Sequence, residues 1–174
     1  MGDDRARRIL LSLVLTAAAL LAALEVTLAR AGGPAAMAPA PWVTPLQDMN
    51  SALERGDLVM AATARHKAHL AAFGNRSWEG FLAVGDAALR QGDTSGDLRA
   101  MEPEARRAYF SALTHARARR SLDGVLRATE AFAHLGDRDM VEQGIHIARD
   151  LAGSDGDAQA RVATLIGLWT GESL

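Results

Sequence analysis

The stretch Val125–Gly153, VLRATEAFAHLGDRDMVEQGIHIARDLAG, decides the fold. Ala128, Thr129 and Phe132 in its first half, and Val141, Ile145 and Ala148 in its second, recur at three- and four-residue intervals. Each half therefore carries one apolar helix face. Between them stands Gly136-Asp137, a glycine suited to a left-handed helix stop followed by an Asp suited to capping the next helix. Neither helix can bury its stripe alone, so the two must fold back on each other.

Working outward, the same grammar holds from Leu46 to the end of the chain. Apolar residues keep helical spacing, no alternating β-type run occurs, and Gly-Asp pairs punctuate the pattern at Gly56-Asp57, Gly92-Asp93, Gly136-Asp137 and Gly156-Asp157. The spacing predicts helices over 46–55, 58–73, 77–91, 103–119, 121–135, 138–152 and 156–170, arranged as three antiparallel pairs and one last helix. In Glu104 to Arg120, for example, Ala105, Ala108, Tyr109, Ala112, Leu113 and Ala116 form one stripe, while Arg106, Arg107, Arg117 and Arg120 fall off it.

This part resembles tetratricopeptide-type repeats, whose unit is a helix pair of about 34 residues with small residues where the helices approach. Ala128-Thr129 stands where the family has a large residue followed by a small one. Phe132 matches the aromatic position, Gly136 the turn, and Val141, Ile145 and Ala148 the packing positions of the second helix. Ala128 is smaller than the family's Leu, and Gly153 replaces its Pro. A second partial match begins at Phe81, with Val84-Gly85 and Ala88 before Gly92, and reads as interrupted by a lengthened turn from Thr94 to Pro103. The first pair, Leu46 to Gly74, keeps Met49, Leu53, Ala61 and Ala68 at loosely fitting positions. The resemblance implies an all-α, TPR-like α-solenoid that binds protein segments.

Ahead of this domain, Ile9 to Ala29 is apolar apart from Glu25 and follows Arg5, Arg7 and Arg8. As a helix it would be roughly 30 Å long, enough to cross a bilayer. A secretory leader is the competing reading, because Ala29-Arg30-Ala31 resembles a cleavage box. A leader's apolar core, however, is about 7 to 15 residues, and Arg30 suits a peptidase poorly. The sequence therefore predicts a single transmembrane helix, or uncleaved signal anchor, over 9–29. Residues 1–8 are expected to be cytoplasmic, since three arginines precede the span and one follows it. Residues 30–45, with Pro34, Pro39, Pro41 and Pro45, read as an extended linker reaching up to about 45 Å. Residues 46–174 are then a periplasmic helical-repeat domain of about 130 residues, a normal size for one core. Arg- and Ala-rich usage, with Lys67 the only lysine, points to a GC-rich bacterial genome and hence to an inner membrane. Glu25 lies about one turn from Arg30, at the outer headgroup level or against a neighbouring subunit.

Composition removes several function classes. A formal net charge of −2 gives no electrostatic case for nucleic acid. With no cysteine, the chain has no disulfides, thiolate sites or covalent haem attachment. His66 and His69 stand at i, i+3 and offer two ligands to zinc or copper, but Arg65 and Lys67 flank them and a structural site needs four. His115, His134 and His146 are scattered, and no spacing singles out a triad. Arg55-Gly56-Asp57 and the sequon Asn75-Arg76-Ser77 read as chance matches.

The expectation is a non-catalytic membrane-anchored scaffold or accessory subunit, with no cofactor or metal. Its partners would be the bilayer, through 9–29, and protein subunits of a multi-subunit membrane complex, respiratory and photosynthetic assemblies being settings of that kind. The alternatives are a periplasmic chaperone-like assembly factor and an all-α hydrolase or metal-binding protein. The partner-contact candidates are Glu25, Trp42, Arg106, Arg107, Arg117, Arg119 and Arg120. The tryptophan reads either as packed on the first helix or lying at the membrane surface, or as an anchor in a partner's groove. The arginines read either as a solvated helix face balanced by Glu102, Glu104, Asp123 and Glu130, or as a grip on carboxylates or anionic headgroups.

Overall fold

The computed structural model describes residues 38–170, in which seven helices and no strand occur. They are α1 (Val43–Glu54), α2 (Leu58–Asn75), α3 (Trp78–Ser95), α4 (Leu98–Ala118), α5 (Leu122–His134), α6 (Arg138–Ala152) and α7 (Gly156–Thr170). Among these residues no helix is long and apolar enough to cross a membrane. The run 9–29 and Glu25 lie outside the described residues.

Two kinds of joint build the array, and both are written in the sequence. Within each pair, Gly56, Gly96 and Gly136 take φ of +71°, +74° and +69°. The next residue's amide reaches back across the last turn: Asp57 N to Ala52 O at 2.9 Å, Asp97 N to Gly92 O at 2.9 Å, Asp137 N to Phe132 O at 3.0 Å. This is the Schellman closure, which satisfies carbonyls the helix end leaves open. Each Asp then caps the following helix, accepting from Met60 N at 2.9 Å, Ala100 N at 3.3 Å and Met140 N at 3.4 Å. The three glycines stand at one constant interval, longer than the ~34 residues of a tetratricopeptide unit.

Between pairs, the joint is Arg-Ser-x-Glu/Asp-Gly, at Arg76–Gly80 and again at Arg120–Gly124. Here arginine takes the left-handed position, at φ +49° for Arg76 and +54° for Arg120. Ser77 N reaches Ala72 O at 3.1 Å and Ser121 N reaches Ala116 O at 2.9 Å. The serine hydroxyls accept from Gly80 N at 3.2 Å and Gly124 N at 3.1 Å. Those glycines are where neighbouring helices touch. A Cβ on Gly80 would come within 2.8 Å of Ala72 Cβ and 2.9 Å of Trp42 Cδ2. On Gly124 it would come within 2.7 Å of Ala116 Cβ and 2.8 Å of Trp78 Cδ2. An indole at the head of one pair thus lies across the head of the next, twice over.

Several expectations are corrected. Gly92-Asp93 is not a helix stop: α3 runs on to Ser95, and the lengthened turn from Thr94 to Pro103 does not exist. Gly92 is a packing glycine, where an added Cβ would meet Leu98 Cα at 2.8 Å and Met101 Cβ at 2.9 Å. Pro103 does not open a helix but sits inside α4, which starts at Leu98 under the Asp97 cap. Gly156-Asp157 is not the last joint either. Gly153 takes the positive φ of +51°, and Asp155 accepts from Asp157 N at 3.0 Å and Ala158 N at 3.1 Å. The linker ends before Val43 rather than at Pro45, which α1 carries in its first turn, where no amide donor is needed.

The packing positions behave as their spacing predicts. Ala128, Thr129, Phe132, Val141, Ile145 and Ala148 are all buried, as are Phe81, Val84, Ala88 and the whole stripe from Ala105 to Ala116. Alanine dominates the inner faces of α2 and α4, so helices approach closely and the core is thin. Aromatics fill the gaps: Tyr109 meets Phe132 edge to face at 6.1 Å, and His115 stacks on Phe81 at 5.1 Å.

Candidate partner-binding surface

The open surface follows from which helices touch. The first helices of successive pairs, α1, α3, α5 and α7, meet one another in series. The second helices, α2, α4 and α6, are separated by grooves. The groove between α2 and α4 has a volume of about 540 Å³ and is lined by Arg65, His66, His69, Glu104, Arg107 and Ser111, with Val84 and Ala108 at its floor. The groove between α4 and α6 is larger, about 720 Å³, and more apolar, with Phe110, Met140 and Pro103 over the fully buried Phe132. Arg107 and Ser111 line both, so α4 is the wall the two grooves share.

Charge in these grooves is largely paired. Arg106 Nε donates to Asp137 Oδ2 at 2.7 Å, tying α4 to the cap of α6. Arg107 pairs with Glu104 one turn away. Arg65 donates to Gln91 Oε1 at 3.0 Å and stands 4.0 Å from Glu104. Burial, helped by the neighbouring His66 and Arg65 and opposed by Glu104, holds the His69 imidazole below its ordinary pKa of 6.5. It packs edge-on to Phe81 at 5.6 Å.

The remaining arginines do not join this surface. Arg117, Arg119 and Arg120 lie at the far end of α4, about 16 Å along the axis from Arg106. Arg119 donates to Asn75 O at 3.2 Å, holding the end of α2, and Arg120 is the left-handed residue of the second joint. Arg127 lies over the Trp78 ring at 5.6 Å. The sequence cluster is thus divided between a groove rim and a structural joint. Trp42 is half-buried, packed against the cluster of Ala68, Val84 and Ala108 and set across Gly80. The sequon falls inside the first joint, with Ser77 buried and its hydroxyl donating to Glu79 at 2.5 Å. Asp57 of the Arg-Gly-Asp tripeptide is the cap of α2.

Among the described residues no group of three or more His, Cys, Asp or Glu side chains is placed to hold a metal ion. Tyr109 is committed to the core, its hydroxyl donating to Asp86 at 2.8 Å, and burial together with that bond pushes its pKa upward. The surface residues that sequence reasoning missed are apolar ones: Phe110 is 52% exposed, Leu70 55% and Phe73 65%. Leu70 and Phe73 had a periodic signal, whereas Phe110 had none. Val59, His66, Leu70 and Phe73 repeat at helical spacing opposite Ala61, Ala64, Ala68 and Ala72.

No family model matches the chain, and no curated protein is similar to it. Fold and surface define a class, an all-α array of helix pairs with grooves between the second helices, and the functional reading rests on that surface.

Proposed function

We propose that this chain is a non-catalytic, membrane-anchored scaffold or accessory subunit. In this reading residues 9–29 cross a bacterial inner membrane once, with the amino terminus cytoplasmic. The helix pairs, a degenerate tetratricopeptide-like array, lie in the periplasm and dock onto protein subunits of a larger membrane complex. The observation that carries the reading is the groove between α4 and α6, where half-exposed Phe110 stands beside Met140 and the Arg106–Asp137 pair forms the rim. Phe, Met and Arg are enriched where proteins recognise one another, and Phe110, Met140 and Arg106 line this groove together. The preformed array also limits the ordering cost of binding.

Purification of the full chain in mild detergent, followed by mass spectrometry, tests this. A defined set of membrane subunits at constant stoichiometry is expected, and Phe110→Glu should strip them while the chain stays folded. A chain that runs alone, trimmed at its amino terminus and free of membrane, would sink both the scaffold and the anchor.

A further inference from the structure

We infer that the outward face of α2 lies on an anionic lipid surface. The inference rests on the membrane-anchored reading above for its tether, and on α2 itself for its chemistry. The inner face of this helix is made by Ala61, Ala64, Ala68 and Ala72, none more than 7% exposed. The opposite face carries Val59 at 76% exposure, Leu70 at 55% and Phe73 at 65%, with His66 between them. At ~100° per residue these four fall within about 60° of one another, a stripe running nearly the length of the helix. Packing against α1 and α3 uses the alanines, so folding gives no reason for the outer stripe.

Charge selects the occupant. From Leu58 to Trp78 the sequence holds Arg65, Lys67 and Arg76, two histidines and no Asp or Glu, in a chain whose acidic residues outnumber its basic ones. Lys67, the only lysine, flanks the apolar stripe. Arg65 is turned toward Gln91 and Glu104, which leaves Lys67 and Arg76 as the outward cations. A helix with aliphatic and aromatic residues along one line, basic flanks and no carboxylate has the make-up of a helix lying in a headgroup layer.

Chain connectivity points the same way. Trp42 and Ala72 both lie against Gly80, so α1 begins beside the end of α2 that bears Leu70 and Phe73. Thirteen residues separate Ala29 from the first residue of α1, at most about 40 Å of extended chain. A bilayer holding 9–29 is within reach of that end.

The cysteine-free sequence makes the test direct. Single cysteines replace Leu70, Phe73, Gln143 on the outer face of α6, and Leu15 in the apolar run. Each full-length variant is labelled with a polarity-sensitive dye and reconstituted into phosphatidylcholine vesicles with and without phosphatidylglycerol. Dyes at Leu70 and Phe73 should shift to the blue and be quenched by nitroxide lipids when phosphatidylglycerol is present, and the dye at Gln143 should not. Lys67→Gln should weaken that contact about fivefold, as expected for one cation at an anionic surface. If the Leu15 dye is quenched by lipid while those at Leu70 and Phe73 stay open to aqueous iodide, the anchor stands and this inference falls. If the Leu15 dye is not quenched, the anchor falls, and the Leu70 and Phe73 dyes still decide the α2 face. In native membranes, protection from iodide without lipid quenching would mean that a protein covers α2, which also overturns the inference.

Discussion

Helices α2 and α6 hold the same place in their pairs and differ in what they turn outward. Both follow a Gly-Asp joint with an Asp cap, and both press small or branched apolar residues inward: Ala61, Ala64, Ala68 and Ala72 in one, Val141, Ile145, Ala148 and Ala152 in the other. Outward, α6 presents Asp139, Glu142, Gln143, His146 and Asp150, an ordinary solvated face. In the same position α2 presents Val59, His66, Leu70 and Phe73. The comparison separates what folding requires from what it does not. One face per helix is enough to build the array, and the apolar outer face of α2 is a face that this packing does not use.

The largest effect should come from breaking what the two helices share. Trp78 is 7% exposed and lies across Gly124 at the joint linking the second and third pairs. Trp78→Ala should destabilise the domain by ~3–5 kcal/mol, read from urea unfolding. Failure to see a loss of that order would mean that the indole does not seal the joint. Overpacking comes next. Gly124→Ala should cost ~1–3 kcal/mol, because its new methyl meets Ala116 and Trp78, and Ala68→Leu in α2 should cost as much as Ala148→Leu in α6. Unequal costs would show that the two inner faces are not equivalent.

Acid tests the α2 side of the comparison. The His69 pKa is held below 6.5 by burial, so the folded state prefers the neutral ring. This contribution is fully present above pH 6.5. It declines as the pH falls from there toward the folded pKa, because the unfolded chain takes up the proton first. His69→Asn should therefore flatten the fall in melting temperature below pH 6.5. The smallest effect is expected on the outer stripe. Leu70→Gln with Phe73→Gln should change stability by no more than ~0.5 kcal/mol, since exposed substitutions rarely do more. A loss well above that would place the stripe in the fold and remove the contrast with α6.

Much of the architecture was legible because it rests on local chemistry. Helical spacing, the Gly56-Asp57 and Gly136-Asp137 joints and the buried stripe of α4 all follow from turns and periodicity within about twenty residues. The third joint was misplaced because Gly92-Asp93 and Gly96-Asp97 lie close together. Local rules favour either, and only the close approach of Leu98 and Met101 to Gly92 makes the first a packing site. The equal spacing of Gly56, Gly96 and Gly136 was available and would have chosen correctly. The candidate surface was less legible. Arg106 and Arg107 do line the grooves, but Arg119 and Arg120 serve a joint, and Phe110 gave no signal as an exposed anchor because apolar residues in helical sequence read as core.

By itself the sequence determined an all-α array, the helix-pair order, the caps at Asp57 and Asp137 and the absence of thiol chemistry, since each follows from residue identity and short-range spacing. Tertiary structure alone decided which glycines turn and which pack, how the arginines divide between groove rim and joint, and that α2 has two apolar faces of which one is left open. Those are questions of which surfaces meet across the array, and contacts between distant residues leave no fixed spacing along the chain.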